Sequence, residues 1–270
     1  MYMAKKKRRR RKVRWTRLLL PCVLILVIPL LLTGCIKGIS YLIHKDDGFI
    51  KEEFATSSDG YLEIIKEGYE SEVGVDVSSF QGDINWYSVK EAGIDFAIIR
   101  VGFRDGNTGV LYEDPLAYKN LENAKNAGLK VGMYFYSSAI NEEELKEEVD
   151  FVLQMANEYK VDYPIAYDME PMLDGSGRIN DLTREQKTKM AIRFCDFIED
   201  AGYTPMVYGN QDWLENQILF NDVKKYGIWY AGYVEQPTLD FKFAMWQYSG
   251  TGKVNGIAGN VDMNILIRKK

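Results

Sequence analysis

From about Val73 onward one pattern dominates the sequence: short apolar runs that end in polar residues, separated by amphipathic segments of helical length. The runs fall at 73–77, 96–101, 130–136, 164–168, 205–208, 228–233, 244–248 and 260–264 and read as strands. Helices are expected at 115–127, 142–159 and 184–201. Asn141 and Thr183 stand where N-caps belong, and Gly128 and Gly202 stand where helices stop. Such an alternation builds a parallel sheet, either an open doubly wound sheet or a barrel. Ser78-Ser79-Phe80-Gln81-Gly82 follows the first run where a phosphate-cradling glycine loop would stand, and this favours the barrel. Barrel chemistry sits at the C-terminal ends of the strands, so the polar residues there carry the functional information.

The segment before the pattern has a different character. Ten of the chain's 34 Lys/Arg lie in residues 5–17, which contain no acid, while the remainder is strongly acidic. An acidic body argues against nucleic acid as its partner. The 19 residues 18–36 carry no formal charge, about the length of a membrane-spanning helix, and the basic cluster before them keeps the N-terminus cytoplasmic. Leu32-Thr33-Gly34-Cys35 also resembles a lipobox, which would make Cys35 a lipidated anchor after cleavage. Either way the body is expected outside the cytoplasm and held at the cell membrane. The expected organisation is a basic cytoplasmic tail (1–17), a transmembrane anchor or lipoprotein signal (18–36), an extracellular stalk with helical character near 61–67 (37–71) and one catalytic domain (72–270).

The residue inventory excludes several chemistries. The single histidine, His44, lies in the expected stalk, so the domain has no Ser-His-Asp or Cys-His scheme, no His-ligated zinc and no histidine base. Asp174 and Glu185 have the end spacing of a calcium loop, but Arg178 and Ile179 occupy positions that need an oxygen ligand and a glycine. Cys195, alone in the domain, fits a helical apolar pattern and reads as a core residue. Acid–base work falls to carboxylates.

The run 164–168 leads into Asp168-Met169-Glu170. A period of two puts Asp168 and Glu170 on one face with Cα atoms ~6.5–7 Å apart. Carboxyls that close raise one another's pKa and leave a proton donor beside an anion, the arrangement used in glycoside cleavage. Asp76 and Asp262 stand in the first and last runs, which become neighbours if the barrel closes. Tyr134, Tyr136, Tyr208, Trp229 and Trp246 accompany them in or at the ends of strands, and aromatic faces of this kind stack on sugar rings; Gln247, beside Trp246, joins them as a substrate-binding candidate.

Asp76-Val77-Ser78-Ser79-Phe80-Gln81-Gly82 with Trp86, Phe96-Ala97-Ile98-Ile99-Arg100-Val101-Gly102, Val131-Gly132-Met133-Tyr134-Phe135-Tyr136-Ser137, Tyr167-Asp168-Met169-Glu170 and Trp246-Gln247-Tyr248-Ser249 together resemble glycoside hydrolase family 25, the N-acetylmuramidase lysozymes. The resemblance runs from about Val73 to Ile267. It implies an irregular, flattened, TIM-like β/α barrel with fewer than eight helices. It further implies cleavage of the β-1,4 bond from N-acetylmuramic acid to N-acetylglucosamine of peptidoglycan with retention of configuration. Glu170 matches the general acid, Asp168 the stabilising carboxylate, and Asp76 and Asp262 the flanking acids. No metal or organic cofactor is implied, and a monomer is expected. Whether Asp168 attacks the sugar or orients the substrate's own N-acetyl oxygen stays open, with the substrate-assisted route preferred. The competing readings are a catalytically silent, membrane-tethered peptidoglycan-binding module and a chitinase-like hydrolase on the same architecture.

Overall fold

A computed structural model describes Gly48 to Lys270, apart from Leu173, Thr238 and Asp240. The expected basic tail and membrane segment lie outside the described residues. Among the described residues no helix is long and apolar enough to cross a membrane.

In chain order the strands are β1 (Phe54–Thr56), β2 (Leu62–Ile64), β3 (Tyr69–Val77), β4 (Phe96–Arg104), β5 (Leu111–Glu113), β6 (Lys130–Tyr136), β7 (Ile165–Asp168), β8 (Pro205–Asn210), β9 (Ile228–Ala231), β10 (Met245–Gly252) and β11 (Val261–Lys269). The helices are α1 (Trp86–Glu91), α2 (Ala117–Asn126), α3 (Glu142–Tyr159), α4 (Arg184–Asp200) and α5 (Phe220–Val223). Asn141 and Thr183 cap α3 and α4 through side-chain oxygens that accept from Glu144 and Gln186 N–H groups. Eight strands close a barrel in the order β3-β4-β6-β7-β8-β9-β10-β11, with β11 returning to β3. Neighbours from β3 to β10 run parallel. β11 runs antiparallel to both of its partners, and β5 hooks antiparallel onto the outer end of β4.

Alternation along the strands sorts side chains into two cores. Phe96, Ile98, Ala166, Met206, Trp229, Met245 and Leu266 fill the barrel, and their sequence neighbours pack outward beneath the helices. Two glycines make the interior fit. A Cβ on Gly74 would stand 2.3 Å from the Phe96 ring, and one on Gly132 would stand 2.4 Å from the Pro164 carbonyl oxygen. The three long helices all fall in the first five crossovers. Among the described residues no helix separates β9 from β10 or β10 from β11, so the barrel is irregular as the resemblance implies.

Of the expected stalk (37–71), residues 37–47 lie outside the described residues and residues 48–71 are described. Gly48–Lys270 is one compact unit, and residues 48–71 fold onto the barrel. Phe49 packs 5.0 Å from Phe243 and 5.7 Å from Tyr69, and Phe54 packs 5.2 Å from Trp246, measured between ring centroids. The expected helical stretch near 61–67 instead holds β2, paired antiparallel with β1. Its Leu62-Glu63-Ile64 alternates half-buried, exposed and buried, which is a strand period.

Candidate active site

The barrel's inward alternation continues upward into a ring of polar side chains. Asp76, Arg100, Tyr134, Tyr136, Asp168, Glu170 and Asp262 line one cleft of about 450 Å3 together with Val77, Ser78, Phe80, Gln81, Phe103 and Pro171. Parallel register sets Asp168 beside Tyr136 on one side and Tyr208 on the other. Antiparallel register sets Asp262 directly opposite Asp76. Asp262 thus stands at the start of its strand, not at the end as the sequence pattern suggested. It reaches the cleft because β11 is reversed, which brings its N-terminal end to the C-terminal end of β3.

Two buried carboxylates form the floor, and they are treated differently. One oxygen of Asp76 accepts from Gln247 Nε2 at 2.8 Å and from Asn264 Nδ2 at 2.7 Å. Asn264 is fixed in turn by Trp229, whose indole N–H donates to its Oδ1 at 2.8 Å. Gln247 is fixed by the Tyr208 and Tyr233 hydroxyls, which donate to its Oε1 at 3.1 and 3.0 Å. Burial and the neighbouring Asp262 push the Asp76 carboxyl up to about 7 against these donors. Asp168 has no such support: its buried Oδ1 has no hydrogen-bond partner. Burial raises its pKa well above the usual carboxylate range, Glu170 and Asp76 raise it further, and Arg100 opposes them. Glu170, half-buried, is raised by burial and then by Asp262, and Asp262 is raised by burial.

Backbone bonds hold the segment that carries the central pair. The Ser137 N–H donates to the Asp168 carbonyl at 2.6 Å, and the Tyr136 hydroxyl donates to the Glu170 carbonyl at 3.1 Å. Behind Ser137 lies a buried ionic cluster. Ser137 Oγ donates to Glu148 Oε2 at 2.6 Å, and Arg104 Nε donates to Glu148 Oε1 at 2.7 Å.

The expected aromatic residues divide. Tyr134 and Tyr136 line the cleft. Tyr208 lies at its edge and works through Gln247. Trp229 is 1% exposed and supports Asn264 from beneath, so it offers no face to a ligand. Trp246 points out of the barrel, where its indole N–H donates to the Gly232 carbonyl at 2.8 Å and its ring packs against Phe54 and Phe243. A strand period of two forbids Trp246 and Gln247 from sharing a face, and Gln247 takes the inward one. Gln247 itself is buried and orients Asp76. Sequence reasoning did not assign roles to Asn264, Tyr233, Arg100 or Phe80. Asn264 was legible, because it follows Asp262 by two residues and must face the same way.

With this geometry in place, comparison with known proteins is direct. The family model Glycosyl hydrolases family 25 matches residues 75–257. The autolytic lysozyme of Clostridium acetobutylicum is 29% identical over 192 residues, covering 71% of this chain and 54% of that protein. Lysozyme M1 of Streptomyces globisporus is 30% identical over 200 residues, covering 71% of this chain and 66% of that protein. The chain therefore spans about half the length of the first relative and about two thirds of the second. The crystal structure of the bacterial lysozyme from Streptomyces coelicolor superposes with a TM-score of 0.60 at 28% identity, covering 72% of this chain and 90% of that one. Barrel, cleft and sequence agree, and the chain belongs to glycosyl hydrolase family 25.

Proposed function

We propose that this protein is a cell-wall lytic muramidase that cleaves the β-1,4 bond between N-acetylmuramic acid and N-acetylglucosamine in peptidoglycan, with retention of configuration. The observation that carries the reading is the convergence of Asp76, Asp168, Glu170 and Asp262 in one cleft at the barrel end where such folds place their chemistry. In a cleft without histidine, proton transfer belongs to a carboxyl group, and Glu170 is suited to it. Burial and then Asp262 raise its pKa above the ordinary glutamate value and so favour the protonated form, and its half-buried position leaves it open to the leaving oxygen.

Asp168 takes the complementary role. Before positive charge develops at the sugar, Asp168 is the harder of the two to ionise despite Arg100, because it is more deeply buried and faces two other acids. Positive charge developing at the sugar reverses that balance and turns its unpartnered oxygen into an electrostatic support. We infer that the substrate's N-acetyl oxygen attacks and that Asp168 orients and stabilises the cyclic intermediate. The basic cluster at 5–17 and the uncharged run at 18–36 support a membrane tether with the domain outside the cytoplasm.

The test is digestion of purified peptidoglycan by the full chain, with mass spectrometry of the new ends. Reducing N-acetylmuramic acid ends are expected, and N-acetylglucosamine ends would reassign the bond cut. A thiazoline analogue of the N-acetyl sugar should inhibit, and a 2-fluoro sugar should leave no adduct on Asp168. A glycosyl group found on Asp168 would make that residue the nucleophile.

A further inference from the structure

Phe80 is 84% exposed, the most exposed of the large apolar side chains described, yet hydrogen bonds hold the turn that carries it. It sits in the 3-10 turn Ser79–Gln81 that follows β3 and lines the same cleft as the four acids. The turn is closed at both ends: Ser78 Oγ accepts from the Phe80 N–H at 3.2 Å, and Gln81 Oε1 accepts from the Ser78 N–H at 2.8 Å. A second set of bonds ties it to the barrel through Asp114, which is fully buried. One Asp114 oxygen accepts from the Ser79 N–H at 3.1 Å and from Arg100 Nε at 2.9 Å.

That anchoring holds the Arg100 guanidinium close to two rings. Its central carbon stands 4.8 Å from the Phe80 centroid and 5.4 Å from the Phe103 centroid. Phe103 in turn stacks on Tyr112 at 5.3 Å with 26° between the planes. The result is a ladder of four flat groups, Phe80, Arg100, Phe103 and Tyr112, backed by a buried carboxylate. Ordering a large apolar ring in water gains the fold little by itself. A ring held rigidly at a cleft wall costs a ligand little conformational entropy on binding.

We propose that Phe80 is a stacking platform for a pyranose ring of the glycan strand, held from behind by Arg100 and Asp114. The apolar face that a sugar's C–H groups present matches a flat aromatic surface. This inference rests on the glycan-cleaving function proposed above and adds to it the surface that positions the strand beside Glu170.

The experiment separates the two. Binding of purified, peptide-stripped glycan strands is measured by calorimetry in full-length Glu170→Gln and in the same variant carrying Phe80→Ala. Steady-state cleavage of those strands is measured in otherwise wild-type chains. Phe80→Ala is expected to weaken binding and raise KM by about tenfold, with kcat changing far less, because stacking away from the reacting atoms contributes to ground state and transition state alike. Phe80→Trp should restore both. Phe80 touches little of the core, so the variant keeps its fold, and a melting curve verifies this. Unchanged Kd and KM in a wild-type background that cleaves would overturn the platform and leave the muramidase standing. Strands that bind in a Phe80-dependent way without being cut would keep the platform and remove the muramidase. No binding to either variant would remove both.

Discussion

Asp76 and Asp168 are both acids, both about 5% exposed, and both at the inner end of a barrel strand, yet the protein surrounds them in opposite ways. Asp76 receives two amide donors, each steadied by a ring N–H or hydroxyl, so its position is fixed by a polar network spanning β3, β8, β9, β10 and β11. Asp168 is gripped by its backbone carbonyl while its carboxyl oxygen is left without a partner. A buried acceptor without a donor costs stability, and native proteins keep few of them. The contrast is between an acid already paired within the fold and, in keeping with the proposed mechanism, one whose oxygen stays available to a ligand.

The largest effect expected lies on neither acid but on Glu170, the proton donor proposed above. Glu170→Gln should keep the fold and lower turnover by ~10²–10⁴-fold, the usual contribution of general acid catalysis. Near-normal turnover would place the proton elsewhere. Next, Asp168→Asn should trade activity for stability. A carboxyl whose folded pKa exceeds its unfolded value binds more protons when folded, so its contribution to stability falls as pH rises above the unfolded value of about 4. Replacing it with an amide removes that cost. The melting temperature of Asp168→Asn should exceed the wild type at pH 8, with the gain vanishing near pH 4. A gain of the same size at both pH values would show that the carboxyl is not held above its ordinary value.

Breaking the network around Asp76 should give the reverse behaviour, loss of stability without a direct loss of chemistry. Asn264→Ala strands the Trp229 indole and removes a donor from Asp76, for which about 1–3 kcal/mol of destabilisation is expected. Since that donor opposes the rise in the Asp76 pKa, the acid limb of kcat/KM should move to higher pH. An unmoved limb would detach Asp76 from the rate. The smallest effect is Tyr233→Phe. It deletes one of two hydroxyls on Gln247 Oε1, and a cost of about 1 kcal/mol or less should appear in chemical denaturation.

Much of this arrangement was legible in the sequence, for reasons that can be located. The strand 130–136 and helix 142–159 match the observed elements because continuous apolar runs and an Asn141 cap are local signals. The acids were legible because a barrel turns strand ends into one rim. What the sequence could not give was direction. Whether β11 runs up or down decides whether Asp262 meets Asp76, and reversal leaves no mark in a run such as 260–264. Pairing also extends elements past their local signal. β3 begins at Tyr69, in a polar stretch, because Tyr69 finds Lys269 across the sheet. Trp246 failed for another reason: its residue type fitted a sugar platform, while its phase within the strand assigned it to the outer core. Phe80 was the converse case, an aromatic outside any strand, whose role depends on Arg100 and Asp114 from distant positions.

The reversed strand also sets when the protein acquires its chemistry. Asn264 lies 188 positions downstream of the Asp76 it anchors. Until β11 has been made and docked, β3 keeps an unpaired edge, Asp76 lacks a donor, and Asp262 is absent from the rim. Contacts of such sequence separation form slowly and late. A chain emerging N-terminus first thus carries Glu170 and Asp168 well before it holds a finished cleft, and it becomes competent only as the barrel shuts. Closure of the fold and completion of the rim of acids are therefore one event.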